Sequence, residues 1–131
     1  MSELPSSRDL DLSHCRHSAW AAYTLHYEEP VYLKEILRNA RQFGTPYVIS
    51  ESGTFNTESD WVHHEKNKTE EGYQTALEVL TDLAQTAYDH GSVFLLETYV
   101  NNVIGSLEET ERVFKDLQHP GIELLMDPTN Y

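Results

Sequence analysis

Hydrophobic positions along the 131-residue chain follow two rhythms. A helical spacing of threes and fours runs through Leu33, Ile36, Leu37 and Ala40. It returns for longer through Tyr73, Ala76, Leu77, Leu80, Leu83, Ala84, Ala87 and Tyr88, the most secure helix of the chain. Short apolar runs alternate with these stripes at residues 47–51, 92–97 and 122–127. An uninterrupted apolar run of that length suits a strand covered on both faces, as in a parallel sheet.

The punctuation agrees with the periods. Pro30 opens the first helix, where its missing N–H costs nothing, and Gly44 supplies a left-handed stop. Thr69 caps the second helix, with Glu70 and Glu71 set against its positive end, and Gly91 closes it. Ser106 and Glu109 form a capping box for a third helix whose inner face is Val113, Phe114 and Leu117. His119-Pro120-Gly121 ends it. No hairpin dipeptide separates the strands, so the order helix, strand, helix, strand, helix, strand predicts parallel pairing with right-handed crossovers.

Upstream the pattern fades. Residues 1–13 are polar and read as a loosely held arm, while residues 14–27 are rich in His and aromatics. Trp20, Tyr23, Thr24 and Tyr27 fall at helical spacing. The division is an N-terminal polar and aromatic arm, 1–29, followed by an α/β unit, 30–131. About three parallel strands leave two open edges, and the chain stops directly after a strand. The expectation is part of a larger α/β fold, either truncated or completed by a partner.

Composition narrows the function classes. A hydrophobic fraction of 39% supports a core in one domain. The formal charge of −13 argues against nucleic acid and against an anionic membrane, because both attract Lys and Arg. Cys15 is the single cysteine, which excludes an intrachain disulfide, and residues 1–5 lack the start of a signal peptide. The expected setting is the cytoplasm.

Candidate chemistry gathers at the strand ends. Glu97 and Asp127 each close an apolar run, and adjacent parallel strands would set their carboxylates a few ångströms apart. Two hard oxygen donors suit Mg²⁺ or Mn²⁺; alternatively, the acids cap helices or face solvent. Glu51 ends the first run and either lines the same mouth or faces a loop. His63 and His64 lie in the polar loop that follows, as does Trp61, which either meets substrate or packs on the rim. His14-Cys15-Arg16-His17 has metal-binding residue types without a second ligand pair. Asn67-Lys68-Thr69 spells a glycosylation acceptor, and no glycine-rich phosphate loop or dinucleotide fingerprint is present.

Three segments together resemble the sugar phosphate isomerase/epimerase family, the xylose isomerase-like (β/α)8 TIM barrels. They are Ala40-Arg41-Gln42-Phe43-Gly44-Thr45-Pro46-Tyr47-Val48, Leu95-Leu96-Glu97 and Gly121-Ile122-Glu123-Leu124-Leu125-Met126-Asp127-Pro128-Thr129-Asn130. The resemblance covers roughly the last hundred residues and implies a central fragment of the barrel. It implies a divalent metal, Mn or Mg with Co or Zn as alternatives, held at the C-terminal mouth with Glu97 and Asp127 as the first two ligands. Glu97 would double as an acid/base group, and Asn130 stands where many relatives carry a substrate-contacting His. The remaining His and Glu ligands of the family fall beyond residue 131. The implied reaction is isomerisation or epimerisation of a sugar or sugar phosphate through an enediolate. Two other readings compete with it. One is a non-catalytic remnant or partial-barrel subunit needing a homo-oligomer or companion chain. The other is an endonuclease IV-like nuclease, which the acidic charge disfavours.

Overall fold

The computed structural model describes residues 31–59 and 61–127 together with the backbone of Trp20 and Ala21. Four parallel strands form one sheet in the order β1-β2-β3-β4: β1 Trp20–Ala21, β2 Tyr47–Glu51, β3 Val93–Glu97 and β4 Ile122–Leu125. Three helices connect them, α1 Val31–Asn39, α2 Glu70–Asp89 and α3 Leu107–Leu117.

The helices form for the reasons their sequence advertises. Thr69 accepts a hydrogen bond from Gly72 N–H at the start of α2, and Ser106 accepts one from Glu109 N–H at the start of α3. The second half of the α3 capping box differs from expectation. Glu109 reaches back to Gly105 N–H at 3.3 Å, because its carboxylate is also held by Lys68 Nζ at 2.8 Å. Gly44 does adopt the left-handed conformation, with φ of 102°, where the first helical segment ends.

With strands in sequence order and right-handed crossovers, the three helices share one face of the sheet, where α2 packs against α1, β3 and α3. That face is the core. Val48, Phe94 and Leu96 point into it at 0% exposure, beneath Leu33, Leu37, Leu80, Leu83 and Val113. Each such fully buried side chain contributes roughly 1.5–3 kcal/mol of transfer free energy. The opposite face holds Tyr47, Ile49, Val93, Leu95 and Leu125, none of which is buried to the same degree.

Several expectations change. Trp20 and Ala21 pair with Val48 and Ile49 as a strand and are not helical, so part of the stretch read as an arm joins the sheet. Pairing with a distant strand overrode the local helical spacing; the rest of that arm, including the His14–His17 cluster, lies outside the described residues. The last strand ends at Leu125, two residues short of Asp127. Tyr88, placed on the inner stripe of α2 by periodicity, is exposed and stands edge-on to His119. Among the described residues, no helix is long and apolar enough to cross a membrane.

Candidate active site at the C-terminal edge of the sheet

The sheet's register places the acids. Glu51 and Glu97 are direct neighbours across β2 and β3, and Glu97 pairs with Leu125 on β4. Adjacent strands lie about 4.8 Å apart, so the two glutamates share one rim. Asp127 follows two residues after Leu125 on the same edge, just beyond the end of β4. Alternation along the strands turns Glu51 and Glu97 onto the face opposite the described helices, above Ile49 and Leu95. All three carboxylates are half-buried. Asn130 lies outside the described residues.

Behind this rim the loops after β2 and β3 are stitched together. Ser52 Oγ accepts from Ile104 N–H at 2.9 Å, Asn102 Oδ1 accepts from Gly53 N–H at 3.1 Å, and Val103 N–H donates to Gly53 O at 3.0 Å. Asn67, fully buried, joins both loops. Its Oδ1 accepts from Phe55 N–H at 2.9 Å, while its Nδ2 donates to Thr54 Oγ1 at 2.8 Å and Asn101 O at 2.9 Å. That burial leaves the Asn67-Lys68-Thr69 motif no room for a glycan in the folded chain. Lys68 Nζ spans Asn102 O at 3.2 Å and the Glu109 carboxylate. The seam is not fully satisfied: Thr98 Oγ1 and Asn102 Nδ2 are buried without a hydrogen-bond partner. A buried group left so costs about 1–3 kcal/mol, and Thr98 directly follows Glu97.

The loop aromatics and histidines divide. Trp61 is 47% exposed and meets Tyr99 edge-to-face at 5.6 Å, while its carbonyl accepts from Asn101 Nδ2. This is packing on the rim with one face left to solvent. His64 Nδ1 accepts from Lys66 N–H and so caps a short helical turn, and His63 is exposed. Among the described residues, acidity is shifted strongly in a cluster joining α2 to α3. There Arg112 grips Glu70 and holds its carboxyl down at about 2, and burial with the Asp116 hydrogen bond raises the Tyr73 hydroxyl. Sequence reasoning missed Asn67 and Asn102, whose only local signal was an asparagine within a polar loop.

As a metal centre the rim is a partial fit. Carboxylate oxygens are the donors a hard divalent cation takes, and such ions take about six or more. Among the described residues no group of three His, Cys, Asp or Glu side chains is placed to hold an ion. Glu97 and Asp127 therefore make half a site at most.

Neither a comparison with protein-family models nor one with curated proteins finds a match. Solved structures do. The probable 3-DHS dehydratase AsbF of Bacillus anthracis, involved in petrobactin synthesis, aligns with a TM-score of 0.64 at 17% identity, covering 82% of this chain and 38% of its own. A xylose isomerase-like TIM barrel protein from Mycobacterium smegmatis, in complex with magnesium, gives 0.63 at 19% identity, covering 85% and 41%. The 3-keto-D-glucoside 4-epimerase YcjR of E. coli gives 0.57 at 12% identity, covering 82% and 46%. The fold is that of a sector of a xylose isomerase-like TIM barrel. The chain spans about two-fifths of the length of these proteins.

Proposed function

We propose that this chain carries the carboxylate half of a metal-dependent sugar or sugar phosphate isomerase or epimerase site. The supporting observation is the register that puts Glu51 beside Glu97 at the C-terminal edge, on the face opposite the described helices, with Asp127 beyond the neighbouring strand. In barrels of this architecture that edge is where reacting groups sit. Neighbours that include a 4-epimerase and a magnesium complex favour the same chemistry.

In this reading Glu97 and Asp127 would hold a divalent cation, Mg or Mn by the hardness of the donors. When bound, such an ion supplies positive charge to the oxygens of an enediolate. Glu97 exchanges the proton on the carbon beside the substrate carbonyl, and Glu51 accepts hydrogen bonds from substrate hydroxyls. Asn130 would add a further contact. Epimerisation in this reading also needs a base on the opposite face of that carbon, and the ion needs ligands besides Glu97 and Asp127. A non-catalytic partial-barrel subunit is the second reading, favoured by the absence of a three-ligand cluster among the described residues. The proposed setting is the cytoplasm and the partner a small sugar.

Titration calorimetry with Mn²⁺ on the purified chain separates the two. Binding that disappears in both Glu97→Gln and Asp127→Asn is the expected result, and ketoses would then be screened for epimerisation. A folded wild-type chain that takes up no Mn²⁺ would leave the subunit reading in its place.

A further inference from the structure

We infer that Asn67 is a positioning residue for the acidic rim: the seam it closes keeps Glu51 and Glu97 side by side. Register makes these two glutamates the last pair of the β2–β3 ladder. The end of a ladder opens more readily than its middle. This end also sets two like charges on neighbouring strands, and like charges placed so weaken a pair. Past Glu51 and Glu97 the two strands continue as separate loops, which on their own would let the pair part.

The bonds that oppose this begin with the very next residues. Ser52, which follows Glu51, meets Ile104 of the other loop, and Gly53 is bonded to Asn102 and Val103. Asn67 comes from the short helical turn Glu65–Lys68 that leads into α2. Its amide nitrogen donates once to Thr54, three residues past Glu51, and once to Asn101, four residues past Glu97. One side-chain amide thus ties the two outgoing segments to each other and both to the start of a helix. Because Asn67 is fully buried, water does not compete for these bonds.

A metal-binding or proton-exchanging carboxylate has to be held within about half an ångström of its productive place. What the positioning serves rests on the function proposed above. The closeness of the two strand ends can be read without any metal.

Amide hydrogen exchange followed by NMR on the purified chain gives that reading. Gly53 N–H donates to Asn102 and Ile104 N–H to Ser52, neither of them a partner lost by replacing Asn67, so their rates report the seam as a whole. Phe94 N–H, bonded to Gly121 O at 2.8 Å, reports the body of the sheet. In Asn67→Ala the rates at Gly53, Glu97 and Ile104 should rise at least about tenfold more than at Phe94. Leu37→Ala opens the core near the other end of β3, where Ser92 Oγ donates to Leu37 O, and should reverse that order. Mn²⁺ affinity by calorimetry should fall at least about tenfold in Asn67→Ala and hold in Leu37→Ala. If Asn67→Ala does not fold, Ser52→Ala, which removes the hydroxyl held against Ile104, takes its place with Gly53 and Glu97 as reporters. Strand-end rates that rise no more than the rate at Phe94, or a wild-type Mn²⁺ affinity kept by Asn67→Ala, would overturn the inference. A wild-type chain that takes up no Mn²⁺ would remove the metal reading alone, and the exchange rates would still decide whether Asn67 holds the pair.

Discussion

Arg112 does two things at one point on the surface. It donates to Glu70 through two nitrogens, Nη1 to Oε2 at 2.9 Å and Nη2 to Oε1 at 2.6 Å, and lies over the Tyr73 ring at 3.6 Å. Tyr73 in turn donates to Asp116 at 2.6 Å. Because the Arg112 hydrogen bonds favour the ionised form, Glu70 falls from 4.5 to about 2. A depressed carboxyl stabilises the fold above its unfolded value and loses that contribution as pH falls through the folded one. The melting-temperature gap between wild type and Glu70→Gln should therefore be full at neutral pH, shrink below about 4.5 and vanish near 2. Melts at a pH series check this; a gap that persists at the acid limit would mean that Glu70 acts through packing. At the same scale, Gly72 shows why α2 begins where it does. A Cβ there would lie 2.1 Å from Lys66 O, a backbone atom, so Gly72→Ala should destabilise by about 1–3 kcal/mol in chemical denaturation.

Among the elements, the two loops behind the acidic rim behave as one. Replacing the fully buried Asn67 with Ala would remove three hydrogen bonds from the seam, at about 0.5–1.5 kcal/mol each. Denaturant unfolding of Asn67→Ala should show a loss of at least about 2 kcal/mol, with faster proteolysis across residues 54–66. What the sequence disclosed divides along the same line. Residues 47–51, the Thr69 cap and the Gly44 stop were readable because each depends on neighbours within a few positions. The strand at Trp20–Ala21 was not, since two residues carry no period and their partners lie at Val48 and Ile49. At the site, the sequence disclosed Glu51, Glu97 and Asp127 as strand-end acids. That Glu51 and Glu97 are direct neighbours is a matter of register between segments 46 residues apart, which no local pattern encodes. Asn67 and Asn102 were hidden for the same reason.

At the scale of the molecule, each described strand pairs with its neighbours in sequence order, so stability should fall from the middle of this sheet outward. β3, paired on both sides and covered by α2, is expected to hold the slowest-exchanging amides, with β4 opening earlier in dilute solution. Hydrogen exchange would report that gradient, and uniform protection across β2 to β4 would contradict it. The alternation of the strands carries one more consequence. In β2, β3 and β4 every even-numbered residue, Val48 and Ser50, Phe94 and Leu96, Ile122 and Leu124, answers to the helices. Every odd-numbered one, through Glu51, Glu97 and Leu125, answers to the opposite side. Loops can lengthen or shorten without disturbing that parity. A single deletion in the middle of β3 reverses it, turning Glu97 toward the apolar layer and Leu96 toward the mouth. A change of length between strands leaves that parity intact whatever it costs in loop contacts, whereas one within a strand does not, which makes strand frame the feature that selection on this fold must protect.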